Sequence, residues 1–221
     1  MSEIKITNED NMALMARYPD NYFDLAIVDP PYGIDVGNDA RNGLMMKKAA
    51  TKRKNYDKKD WDKGVPDEYY FKELFRVSKE QIIWGVNYYP YGFLSGGRIY
   101  WDKDTAEGYT NSDGELAFYS KSNSLKSFKC RWNGMLQYDM KNKEERIHPT
   151  QKPVKLYEWL LDKYAKEGDK ILDTHLGSGS IAIACHNRKF DLTACELDKD
   201  YFEAAVKRLK QHQQQLTIFD V

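Results

Sequence analysis

Two short stretches hold residue types whose spacing could do chemistry. The first is Asp29-Pro30-Pro31-Tyr32, directly after the apolar run FDLAIV at 23–28. An exocyclic amine such as adenine N6 is a poor nucleophile, because its lone pair is delocalised into the ring. Asp29 accepting one N–H and the carbonyl of Pro30 accepting the other would draw that nitrogen toward sp3 geometry and free the lone pair for in-line attack. The prolines hold that carbonyl rigidly and bring no N–H to compete. Tyr32 offers a π-face on which a base could stack. Pro-Pro-Tyr alone would also suit a strand that simply ends in a proline turn.

The second stretch is Asp173-Thr174-His175-Leu176-Gly177-Ser178-Gly179. Glycines at the end of a parallel strand let backbone approach a ligand and aim a helix N-terminus at it. Glu196 ends the following strand, in the place where an acid takes both hydroxyls of a ribose. The ligand is therefore read as a nucleoside. Gly177-x-Gly179-x-x-Ala182 also meets the loose dinucleotide pattern, so an NAD-dependent oxidoreductase is the rival reading. Asp173 separates the two. Its charge would repel a pyrophosphate but suits a cationic ligand end, the ammonium of S-adenosylmethionine, whose sulfonium is cationic too.

The elements that must position these groups alternate along the chain. Strands are expected at 23–28, 81–87, 98–101, 115–120, 170–176 and 190–197, and helices at 66–78, 153–165, 181–189 and 198–213. Proline opens the helices at 66 and 153, where its missing N–H does no harm. Strand–helix–strand–helix at this spacing predicts an α/β fold with a parallel sheet and right-handed crossovers. Both motifs then fall at carboxyl ends of strands, where open α/β sheets place ligands.

The chain has 221 residues, 41% hydrophobic and 31% charged, which suits one domain with a real core. Lys+Arg and Asp+Glu number 34 each, which excludes a uniformly basic nucleic-acid binder but not a polarised one. Residues 39–63 carry nine basic and four acidic side chains, and are expected to be a mobile loop whose Lys52, Arg53 and Lys54 contact phosphates. Residues 121–147 are also basic and irregular, with Arg131 a further phosphate candidate. Cys130, Cys185 and Cys195 lack CxxC spacing, and the four histidines are scattered, so neither a disulfide scaffold nor a metal site is expected. The polar start MSEIKITNEDN predicts no signal peptide, no apolar run approaches a membrane span, and a cytoplasmic protein follows.

The order of motifs resembles the amino-methylating DNA methyltransferases of the circularly permuted (β-type) class. Asp29–Tyr32 comes first and Asp173–Gly179 last, with His148-Pro149-Thr150-Gln151-Lys152-Pro153 between them, similar to that family's HPTQKP segment. The resemblance covers most of 4–210, and the compact form looks like phage or prophage adenine methyltransferases. It implies a single Rossmann-like domain over 1–210, with a mixed, mostly parallel sheet of the seven-stranded type. It implies S-adenosylmethionine held by Asp173, Gly177, Ser178, Gly179 and Glu196, with Thr150, Gln151 and Lys152 from the middle segment. Lys152 would pair with the cofactor carboxylate, and Asp10 would accept the adenine amine of the cofactor. It implies methyl transfer to adenine N6 in double-stranded DNA with base flipping, since Asp29 stands where cytosine-N4 enzymes often have serine. Cytosine-N4 and RNA adenine methylation stay open. Target recognition is left to 103–147, with a modest site, relaxed specificity or a homodimer partner all open. In the tail, 211–221, the helix is expected to fray in the glutamines. Gln215, Leu216 and Phe219 resemble a peptide that docks on a DNA sliding clamp.

Overall fold

The computed structural model describes residues 2–35, 62–105, 112–133 and 136–219, the backbone alone for 216–219. Eight strands form one sheet. In chain order they are β1 (Ile4–Asn8), β2 (Phe23–Val28), β3 (Ser78–Trp84), β4 (Gly97–Asp102), β5 (Gly114–Tyr119), β6 (Leu125–Lys129), β9 (Lys170–Asp173) and β10 (Asp191–Glu196). Two further strands, β7 (Trp132–Asn133) and β8 (Leu136–Gln137), pair with each other in a separate two-stranded sheet. The order across the sheet is β1-β10-β9-β2-β3-β5-β4-β6. The strand before Asp29 thus lies beside the strand that ends at Asp173, in parallel. The first five strands in that order run parallel, and β5 turns antiparallel to β3 and β4.

Helices cover both faces. Leu25 and Ile27 of β2 pack toward α3 (Val154–Tyr164), α4 (Ser180–Arg188) and α5 (Lys199–Phe219). Ala26 and Val28 pack toward α1 (Asn11–Met15) and α2 (Glu68–Val77). A strand buried on both faces reads as a continuous apolar run, which is why FDLAIV shows no alternation. Asp67 caps α2 by accepting from the Tyr70 N–H at 2.9 Å.

Four expectations differ from this architecture. The sheet has eight strands, not seven: β6 pairs parallel with β4 inside the segment read as irregular. Its sequence, LKSFK, is largely exposed, so ladder hydrogen bonds form it and no apolar face announces it. The strand expected at 81–87 stops at Trp84, because Gly85 turns the backbone at φ +77°. The strand expected at 170–176 stops at Asp173. Finally, α5 does not fray at its glutamines but continues to Phe219, consistent with glutamine's good helix propensity. A clamp-docking peptide at Gln215–Phe219 would therefore have to unwind that last stretch. Lys52, Arg53 and Lys54 lie outside the described residues. Among the described residues no helix is long and apolar enough to cross a membrane.

Candidate active site

Asp29 sits where β2 leaves the sheet, and its carboxylate is the end of a file of charges. Its Oδ1 accepts from the Tyr32 hydroxyl at 2.6 Å, and its Oδ2 from the Lys152 ammonium at 2.5 Å. Lys152 reaches Glu115 Oε2 at 3.0 Å, and Lys103 reaches Glu115 Oε1 at 2.7 Å. The Tyr32 oxygen accepts from Lys152 at 3.1 Å. Lys152 is 3% exposed. Burial pushes the Asp29 carboxyl up, against the pull of Lys152, and the Glu115 charge adds to the rise. Burial works the same way on Glu115, but Lys152 and Lys103 together hold it down to about 2. Lys152, expected to pair with a cofactor carboxylate, here pairs with Asp29 and Glu115.

The rest of the Asp-Pro-Pro-Tyr turn is held from outside its own segment. The Pro30 carbonyl accepts from the Tyr89 hydroxyl at 3.0 Å, leaving its second lone pair. The N–H groups of Tyr32 and Gly33 donate to Asp62 Oδ1 at 2.8 and 2.9 Å. The Tyr32 ring stacks on Tyr88, centroids 4.9 Å apart at 13°, so the face expected to take a base already carries a tyrosine. Gly85 lies against the same ring, and a Cβ there would fall 2.1 Å from Tyr32 Cε1.

The glycine loop is braced by contacts within the chain. Gly177 N–H donates to Glu196 Oε2 at 2.8 Å, and Asp198 N–H to Glu196 Oε1 at 2.9 Å, so Glu196 braces the loop. Asp173 is 2% exposed and accepts from the His175 N–H at 2.9 Å. It lies beneath the cavity surface and does not line it, and burial pushes its carboxyl up to about 8. Gly179, at φ +72°, likewise does not line the cavity. A Cβ there would meet the Ala205 Cβ at 3.0 Å, so its role is close approach to α5. Ser178 bonds Ser180 at 3.1 Å. His175 is packed, and burial lowers its ring to about 4. Asp10 caps α1, accepting from Met12 and Ala13 N–H, with its side chain at the cavity edge.

The middle segment ties the two motifs together. The Lys152 carbonyl accepts from Ser180 Oγ at 2.7 Å, so its backbone is fastened to α4 while its ammonium reaches Asp29. Thr150 bonds the His148 ring at 3.1 Å. The Gln151 side chain serves structure: it accepts from Ile147 N–H at 2.9 Å and donates to the Glu145 carbonyl at 3.1 Å. Arg131 lies away from this centre, half-exposed and paired with Asp104 at 2.7 Å.

Two cavities meet here. One, of about 580 Å³, lies over the glycine loop and carries the carboxylates of Glu9, Asp10, Asp67, Glu196 and Asp198. The other, of about 330 Å³, is walled by Tyr32, Tyr88, Trp101 and Trp132 together with Lys103 and Glu115. Asp29, Pro31 and Thr150–Lys152 belong to both. The sequence reading missed Glu115, Lys103, Asp62 and Tyr89. Of these, Glu115 fell in a run read as a strand, 115–120, and Asp62 in the basic segment 39–63. Among the described residues no group of three or more His, Cys, Asp or Glu is placed to hold a metal ion.

Comparison with known proteins gives a consistent answer. A family model described as DNA methylase matches residues 75–207. The type II methyltransferase M2.DpnII of Streptococcus pneumoniae is 24% identical over 246 residues, spanning 93% of this chain and 89% of that protein. Among solved structures, the M1.HpyAVI–SAM complex superposes with a TM-score of 0.60 at 21% identity, covering 93% of this chain and 100% of that one. PvuII DNA methyltransferase, described as cytosine-N4-specific, gives 0.61 at 11% identity over 97% of this chain and 91% of that one.

Proposed function

This chain belongs to the DNA methylase family, and from that membership we propose that it methylates the N6 amine of an adenine flipped out of double-stranded DNA, with S-adenosylmethionine as donor. The observation that carries the reading is the meeting of the two cavities at Asp29. A methyl donor on one side and an amine on the other would face each other across that carboxylate.

The larger cavity fits the cofactor. Its volume is that of a cofactor site, and its carboxylates complement a sulfonium and an ammonium but would repel the pyrophosphate of NAD. The chemistry supplied on binding is an electrophilic methyl carbon whose bond pair returns to sulfur. Glu196 and the Gly177 loop, joined by the Gly177 N–H, would hold the nucleoside end. In the smaller cavity, Asp29 accepts one amine N–H and the free lone pair of the Pro30 carbonyl accepts the other. The nitrogen lone pair then forms the new N–C bond. The nitrogen gains positive charge and sheds one proton, for which Asp29 is the adjacent base. The target amine cannot reach Asp29 inside a stacked duplex, so the base is extruded. Tyr88 is 40% exposed, and it is the ring that must move aside for a base to stack on Tyr32. Lys52, Arg53, Lys54 and Arg131 would add phosphate contacts, which position the duplex without reading it.

Asp at the head of the Asp-Pro-Pro-Tyr motif supports adenine over cytosine. The test is incubation with double-stranded DNA and S-adenosylmethionine, digestion to nucleosides and mass spectrometry. N6-methyldeoxyadenosine is expected. N4-methyldeoxycytidine would overturn the adenine assignment, and product on RNA but not DNA would overturn the substrate.

A further inference from the structure

Lys152 poses a problem for the reaction that Asp29 is to perform. The target amine needs a lone pair on Asp29, and although each carboxylate oxygen keeps a second one, Oδ1 already accepts from Tyr32 and Oδ2 carries an ammonium at 2.5 Å. That ammonium draws off the electron density meant for the amine, and it would repel the positive charge that develops on the amine nitrogen. It has little access to water, being 3% exposed and lying over the rings of Trp84 and Tyr32 at 5.4 and 5.5 Å. It therefore cannot leave Asp29 for solvent, and a buried ammonium without a partner is strongly unfavourable.

We propose that Glu115 is a positioning residue for methyl transfer, which takes over the Lys152 ammonium when the target amine takes its place on Asp29. The inference rests on the methyl-transfer reading above. Glu115 is suited to this by its frame. It lies on β5, paired across the sheet with Trp101 of β4, and Lys103 follows that strand directly. Lys103 holds the Glu115 oxygen that Lys152 does not use. Glu115 is thereby fixed from behind, with its second oxygen 3.0 Å from Lys152. The charges alternate from Lys103 through Glu115 and Lys152 to Asp29, so the lysine can lengthen one contact and shorten the other without ever being unpaired. Glu115 lines the smaller cavity and not the larger one, so it can act on the amine side without touching the cofactor.

The test uses the full chain with DNA and compares wild type, Glu115→Gln and Glu115→Asp by single-turnover methylation. Glutamine keeps the shape and loses the charge. Its rate is expected to fall by about a hundredfold, while binding of S-adenosylhomocysteine by calorimetry stays within about twofold. The acid limb of its pH–rate profile should move to lower pH. The titratable groups that act on Asp29 are Tyr32, Tyr70, Tyr89, Tyr157, Asp173, Lys152 and Glu115, and removing the Glu115 charge removes the β5 carboxylate that opposes Asp29 ionisation. Aspartate, with the charge on a shorter arm, should recover the rate to within about tenfold of wild type. A Gln variant within threefold of wild type overturns the proposal. So do equal losses in Gln and Asp, or a loss with a lowered melting temperature and an unmoved acid limb. If wild type itself methylates nothing, it is the methyl-transfer reading that fails.

Discussion

Replacing Lys152 by methionine puts the charge file under its severest strain. The substitution keeps most of the volume and deletes contacts to Asp29 at 2.5 Å, Glu115 at 3.0 Å and the Tyr32 hydroxyl at 3.1 Å. Two carboxylates then face each other across the space the ammonium filled, with Lys103 on the far side of one of them. Removing one partner of a buried pair typically costs about 3–5 kcal/mol. For a chain of this size that corresponds to a fall in melting temperature of roughly 6–20 °C. The deficit should depend on pH, with a definite sign. Without Lys152, burial and Glu115 both raise the Asp29 pKa above its unfolded value. An acid whose folded pKa is raised weakens the fold above the unfolded pKa, and the penalty fades as pH falls through the folded value. Urea denaturation should therefore show the largest deficit against wild type at pH 8 and a smaller one at pH 5.5. Affinity for S-adenosylhomocysteine should change by less than about threefold in protein that remains folded. A stability loss under about 1 kcal/mol at pH 8, or an equal loss at both pH values, would refute the reasoning. A tenfold loss of cofactor affinity would return Lys152 to the cofactor carboxylate.

Asp29→Ala should reduce methyl transfer at least about a thousandfold with S-adenosylhomocysteine binding little changed; a rate within tenfold of wild type would contradict its role on the amine. Gly85→Ala should disable the Tyr32 turn, since the new methyl would collide with that ring and the backbone is held at φ +77°; a wild-type rate and melting temperature would show that the turn relaxes freely. Wild type should lose stability as pH rises from about 5 to 8 and level off above that, because burial lifts the Asp173 carboxyl to about 8 and its ionisation in place is unfavourable. Asp173→Asn should flatten that slope in thermal melts, and an unchanged slope would assign the pH dependence elsewhere.

What could be read in the sequence was local. FDLAIV followed by two prolines marks a strand and its end, and Asp29 falls at that end in the structure. The Gly177 loop between an apolar strand and a helix was equally plain, as was Glu196 closing the next strand. What could not be read was depth and distance. Nothing in Asp173-Thr174-His175 says that the carboxylate lies under the cavity floor. Periodicity cannot pair Lys152 with a carboxylate 123 positions away, or Tyr32 with Glu115 83 positions away. Those contacts exist because β2, β5 and the segment before α3 converge, which depends on strand order. Asp62 looked like one acid in a basic loop until it was seen holding the Tyr32 and Gly33 amides. β6 was missed because an exposed strand has no apolar alternation to display.

The alternating file of Lys103, Glu115, Lys152 and Asp29 also limits how this site can change over time. Replacing any interior member by an uncharged residue leaves a neighbour charged in a place with little water. Effects at contacting positions of this kind are strongly non-additive, so the outcome of one replacement depends on whether its neighbour has already gone. The accessible route is loss of charges two at a time from one end: Lys103 with Glu115, for instance, replaced together by apolar or amide side chains of similar volume, which leaves Lys152 paired with Asp29. A library that varies one of these positions alone would therefore report each as intolerant. One that varies adjacent members jointly would find neutral pairs that retain the fold.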